Sequence, residues 1–184
     1  MTTTSKIVTL VLFLIFFNAC SDPNYNGEKY VAFDSMDQLS YEIIESIKQQ
    51  EEEKMLHLLD NKTLLFDLLI HAKGEDANRT KAYLSTEEGK RKFSVDQMAK
   101  KQRINAFFTA GLPKQLTVNK AAFKTTGLEL VNEQPYAEGS PAMLQTYKIR
   151  INNGEQQNYS YEIQVIYWNN KYHLIEAAGF LKNL

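Results

Sequence analysis

Two periodicities divide the chain. Up to about residue 113, apolar residues recur every three or four positions, the spacing of one helix face. Beyond it they recur every second position, the spacing of one strand face. Met36, Leu39, Ile43, Ile44 and Ile47 make the first helical stripe, which resumes at Met55, Leu58 and Leu59 across the acidic patch Glu51-Glu52-Glu53. Ser35 with Gln38 forms a capping box at its start. Asp60 or Asn61 starts a second helix carrying Leu64, Leu65, Leu68 and Leu69, and Lys73 to Asn78, with Gly74, reads as a loop. Ser85 with Glu88 and Ser94 with Gln97 are two further capping boxes. The second opens a helix through Met98, Ile104, Phe107 and Phe108, stopped by Gly111 and Pro113.

In the second half, Leu128 to Val131 reads as a short strand. Met143 to Ile151 alternates, with Tyr147, Ile149 and Ile151 on one side and Lys148 and Arg150 on the other. Tyr159, Tyr161, Ile163, Val165 and Tyr167 alternate against Ser160, Glu162 and Gln164, and Tyr172 with Leu174 begins a last strand. A two-residue turn at Asn169-Asn170 sets Tyr167 against Tyr172 and Val165 against Leu174, so the apolar faces coincide. At Asn153-Gly154 a two-residue turn would set Ile149 against Asn158. A three-residue loop sets Ile149 against Tyr159 and Tyr147 against Tyr161 instead, so a longer, bulged connection is expected there.

Helices followed by hairpin-linked strands predict an α+β fold, with N-terminal helices packed on a curved C-terminal antiparallel sheet. This element order, with the closing hairpin Tyr167 to Ile175, resembles the cystatin-like roll of the nuclear transport factor two-like superfamily, over Ser35 to Leu184. The resemblance implies a cone-shaped sheet closed by helices around a pocket. It also implies frequent sheet-to-sheet dimers, and a range of roles from isomerase and dehydratase to inert interaction domain.

The first twenty residues carry a different message. Lys6 precedes the apolar run from Ile7 to Phe17, then Asn18-Ala19-Cys20. A cationic start, a short apolar core and a small residue at the cut make a secretory signal, too short to span a bilayer. Ala19 and Cys20 at its end resemble the lipobox of bacterial lipoproteins. The resemblance implies cleavage before Cys20, lipid on its thiol and acylation of the freed amine, with Ser21 after it favouring the outer membrane of a Gram-negative cell envelope. An ordinary signal peptide with an incidental cysteine is the alternative. Cys20 is the only cysteine of 184 residues, so no disulfide can form within the chain. The expected organisation is therefore a signal over 1–19, a lipidated tether over 20–34 and one domain over 35–184.

Charge adds exclusions. The chain has 21 basic residues, Lys6 among them, against 22 acidic ones, which gives no electrostatic case for nucleic acid. The basic stretch Lys90, Arg91, Lys92, Lys100, Lys101 and Arg103 is interleaved with Glu87, Glu88 and Asp96. It reads as a solvated helix face, with contact to anionic lipid as the other possibility. His57, His71 and His173 lack ligand-like spacing, so no metal site is expected, and no phosphate loop or nucleophile elbow implies a cofactor or a hydrolase.

Three sites remain. Tyr147, Tyr159, Tyr161, Tyr167 and Tyr172 share one predicted sheet face and could bind a small apolar ligand or an envelope protein, or could simply fill the core. If the last strand continues, Glu176 falls on that face opposite Ile163, where it could act as a general base with the Tyr161 and Tyr147 hydroxyls stabilising an oxyanion. Trp168, Ile166 and Ile175 fall on the other face and could form an apolar patch for a homodimer or partner, or lie under the loop from Leu112 to Phe123. The first expectation is a lipid-anchored envelope binding or interaction module without catalysis. A small isomerase or dehydratase using Glu176 is the alternative.

Overall fold

A computed structural model of the chain describes residues 30–110, 123–152, 154, 158–177 and 182–183. The signal segment, Cys20, Gly111, Pro113 and most of the Leu112–Phe123 loop lie outside the described residues. The chain is α+β, with helices α1 (Met36–Gln49), α2 (Glu52–Leu58), α3 (Lys62–His71), α4 (Glu75–Ser85) and α5 (Glu87–Ala110) preceding the sheet.

Ser35 caps α1, its Oγ accepting from the Gln38 amide at 3.2 Å. The first stripe does not run on unbroken: Gln50 adopts a left-handed φ of 60°, and α2 restarts beyond it. Asn61 ties the corner between α2 and α3 to the sheet, its Nδ2 donating to the carbonyls of Leu58 at 3.2 Å and Leu174 at 2.6 Å.

Two expectations about the middle of the chain are corrected. The segment Lys73 to Asn78 is not a loop, because α4 begins at Glu75 after a turn at Gly74, whose φ is 103°. The capping residue before α5 is Thr86, whose Oγ1 accepts from the Gly89 amide at 3.0 Å, and the helix passes uninterrupted through Ser94. With a helical turn already in place ahead of it, Ser94 has no orphan amides to cap.

The sheet follows the order β1 (Lys124–Pro135), β2 (Met143–Asn152), β3 (Asn158–Trp168), β4 (Lys171–Glu176), all antiparallel. A short β5 (Lys182–Asn183) pairs with β3 beyond the end of β4. Strand β1 is longer than the expected Leu128 to Val131. Register shifts between Thr125 and Gly127 and between Leu130 and Asn132 break its alternation, which is why only its centre reads as a strand.

The β3–β4 hairpin pairs Tyr167 with Tyr172 and Val165 with Leu174, and Asn169 and Asn170 both take positive φ, as a tight hairpin turn requires. In β2–β3 the apolar files coincide, but the pairing is shifted by two residues from the three-residue-loop expectation. Ile149 faces Tyr161 and Tyr147 faces Ile163, because the connection from Asn152 to Asn158 takes up 153–157.

Two cores result. On the front face, Ile149, Ile151, Tyr159, Tyr161, Ile163, Val165 and Leu174 pack under Leu39, Ile43 and Ile47 of α1, Met55 of α2 and Ile104 of α5. On the reverse face, Ile166 packs with Leu64 and Leu68 of α3 and with Ala142, flanked by Leu144, Trp168 and Ile175. The Trp168, Ile166 and Ile175 patch is thus not an open interaction face: Ile166 is 0% exposed and lies under Leu64 and Leu68 of α3, while the loop expected to cover it falls, but for Phe123, outside the described residues.

The tether boundary also moves. Phe33 is 3% exposed in the front core and exchanges backbone hydrogen bonds with Tyr172 at 3.0 and 2.9 Å. The Tyr30 hydroxyl donates to Asp67 of α3, and Lys171 pairs with Asp34 at 2.5 Å. Residues 30–34 are therefore a strap along the free edge of β4, part of the fold rather than of the tether.

Candidate functional site

The tyrosine file splits into two groups. Tyr159 and Tyr161 are 3% and 0% exposed, so they are core. The Tyr161 hydroxyl donates to the Ala177 carbonyl at 2.5 Å, and burial pushes its ionisation above the ordinary phenol range. Tyr147, Tyr167 and Tyr172 are half-buried near the other end of the file, with the Tyr167 and Tyr172 rings 4.8 Å apart. There the Tyr147 hydroxyl donates to Gln145 Oε1 at 3.3 Å, and Gln145 Nε2 in turn donates to Glu133. Burial, with Tyr172 and Glu133 close by, pushes the Tyr147 hydroxyl up to about 12. It is a neutral donor at physiological pH.

Glu176 does not join either group. A register shift in the β3–β4 pairing sets it against Gln164 rather than opposite Ile163, in the file that alternates with the tyrosines. Its carboxylate is 2.7 Å from Arg103 of α5 in a half-open ion pair. The hollow beside it, lined by Leu59, Lys100, Arg103, Ile104 and Ala177, measures about 10 Å³, roughly one water-sized probe and no room for a substrate. The geometry does not assemble Glu176, Tyr161 and Tyr147 as a general base with oxyanion donors.

The larger hollows lie elsewhere. One, of about 580 Å³, runs between α1 and the first half of β1, lined by Asp37, Ser40, Tyr41, Ile44 and Glu45 against Phe123 to Leu128. Tyr41 is 61% exposed, and Leu130 and Val131 farther along β1 are 48% and 50% exposed. Glu45 is paired with Lys48, and Glu129 on β1 with Arg150 at 2.5 Å. A second hollow of about 290 Å³ lies among α3, α4 and α5, floored by Leu65, Leu69 and Leu84, with the Phe66 and Phe93 rings 4.5 Å apart.

Neither hollow emerges from the tyrosine pattern. The sequence signal for the first is Tyr41, an aromatic off the apolar stripe of α1. Among the described residues, no three His, Cys, Asp or Glu side chains converge as metal ligands, and no helix is long and apolar enough to cross a membrane.

No protein-family model, curated protein or solved structure matches the chain.

Proposed function

We propose that the protein is a non-catalytic interaction module held at the cell envelope by lipid on Cys20, in the outer membrane of a Gram-negative bacterium, with a cystatin-like roll as its scaffold. The observation that carries the non-catalytic part is the fate of Glu176. It is ion-paired to Arg103 beside a hollow of about 10 Å³, while Tyr161 is sealed with its hydroxyl spent on Ala177. Large apolar side chains are displayed instead on the surface, at Tyr41 on the wall of the open groove and at Leu130 and Val131 farther along β1. The cationic start, short apolar run and Ala19-Cys20 support the anchor. Acylation at both the thiol and the amine would hold the chain stably, since one chain alone binds only marginally.

Growth with an alkyne analogue of palmitate tests the anchor. Wild type should carry the label and sediment with membranes, whereas Cys20→Ser should carry none and become soluble. A labelled Cys20→Ser protein sinks that half of the reading. A photo-cross-linking residue at Tyr41, Leu130 or Ile70, all exposed, tests the interaction half in the same cells. Discrete adducts with an envelope protein are expected, and their absence from all three positions overturns an interaction role.

A further inference from the structure

We propose that the free edge of β1, walled by α1, takes up an extended segment of a partner polypeptide as an added strand, with an apolar side chain of that segment seated on Tyr41. The proposal rests on the interaction-module reading and gives it a site and a ligand class.

Among the described residues β1 pairs only with β2, so one side of a 12-residue strand presents unpaired backbone groups. Near its start stands Gly127, where an added Cβ would meet nothing closer than the Arg150 side chain at 3.9 Å. Glycine inside a strand marks a place where another backbone can come close. Alongside runs the groove of about 580 Å³, with Tyr41 and Ile44 on its helical wall and Thr125 to Leu128 on its strand wall. A helix lying beside a free strand edge is the arrangement that recognises peptides by strand addition. Main-chain hydrogen bonds supply affinity, and pockets for alternate side chains supply specificity.

Three features choose this occupant over others. The strap from Tyr30 to Asp34 lies along β4, the opposite edge of the β1-β2-β3-β4 order, about 14 Å away at roughly 4.8 Å per strand. The chain's own strap therefore covers the far edge and leaves that of β1 open to a partner. The shifts around Thr126 and Val131 interrupt the edge and oppose a long ladder with the rigid strand of a second copy, while Gly127 to Leu130 stays regular for a short segment. The groove walls mix Asp37 and Glu45 with Lys48 and Lys124, which matches a segment of balanced charge rather than a strongly acidic or basic one.

The test uses the full-length protein, solubilised in detergent, and a phage-displayed library of random dodecapeptides as the probe. Enriched peptides should slow amide exchange over Gly127 to Leu130. Tyr41→Ala and Gly127→Val should each weaken their binding roughly tenfold or more, as loss of an anchoring contact does. Both variants should keep the wild-type melting temperature, since Tyr41 is exposed and Gly127 has open space. Peptides that bind both variants equally, or that protect α3 to α5 instead, overturn the strand-edge site while leaving an interaction role standing. Failure of any peptide to enrich overturns it as well. Concentration-dependent self-association that protects β1 and is abolished by Gly127→Val overturns it in favour of a second copy.

Discussion

Replacing Gly89 with alanine should destabilise the protein, although it puts a better helix former into a helix. Helix propensity alone favours the change by about 1 kcal/mol. Gly89 lies in the first turn of α5, buried against the end of α4. A Cβ built there would sit 2.1 Å from the Tyr83 carbonyl oxygen, 2.7 Å from its carbon and 3.0 Å from Leu84 Cα. All three are backbone atoms, so no side chain can swing away, and the elbow between α4 and α5 must open. Overpacking of this kind costs about 1–3 kcal/mol and more where the backbone cannot yield. With backbone atoms this close the cost lies at the upper end, about 3 kcal/mol, so it outweighs the propensity gain and leaves a net loss of about 2 kcal/mol. For a domain of this size that lowers the melting temperature by about 4–8 °C. Gly127→Ala is the matched control, with its nearest atom at 3.9 Å, and should be neutral or slightly stabilising. Calorimetry on both variants gives the comparison, and amide exchange should place the loss in α4 and the start of α5. If Gly89→Ala melts higher than wild type, the close approach at the elbow is wrong.

Phe33→Ala should cost about 3–5 kcal/mol in urea unfolding, the range for a buried aromatic, and a chain begun at Ser35 should be weakened at least as much. Equal stability of chains begun at Tyr30 and at Ser35 would return the strap to the tether. Asn61→Ala should cost about 1–3 kcal/mol because it strands the Leu58 and Leu174 carbonyls, and Asn61→Asp should cost more at neutral pH, where it buries a charge; equal losses would contradict this. Glu176→Gln should change stability by less than about 1 kcal/mol, since its pair with Arg103 is partly exposed, and a larger loss would mean that the pair is structural. In alkaline titration Tyr147 should ionise near 12 rather than at the ordinary 10.0. Above the ordinary value the unfolded chain releases this proton while the folded chain retains it, so stability should fall as pH rises from about 10 through about 12. A Tyr147→Phe protein with the same alkaline stability profile would remove that contribution.

The periods of 3.6 and 2 were enough to reveal that helices precede the sheet, and the register of the last hairpin as far as Val165 and Leu174. Ser35 and the alternating files of β2 and β3 sit where local chemistry and tertiary packing agree. What escaped was set by tertiary context. Nothing about Gln50 advertises a left-handed residue, a role that usually falls to glycine or asparagine, so the break after α1 was hidden behind a continuous apolar stripe. Ser94 has the spacing of a cap but sits inside α5, where the helix from Glu87 already satisfies its neighbourhood. Glu176 was assigned a face by parity, and a single shift in register overturned that assignment. Ile166, Trp168 and Ile175 were visible as apolar interruptions of a polar face. Their partner, α3, could not be read, because its apolar residues run almost all the way round it and name no side. Phe33 looked like the end of a polar linker because an isolated aromatic carries no period.

The two cores impose a gradient of mutational tolerance across the sheet. At β3, Ile163 and Val165 serve the front core and Ile166 the reverse one, so a polar replacement at any of the three damages one interior or the other. At β1, nearly every side chain is in contact with water, and changes there cost the scaffold little. Evolution can thus rewrite the outermost strand while holding the inner ones constant. A lineage could change what this protein recognises without first having to rebuild what keeps it folded.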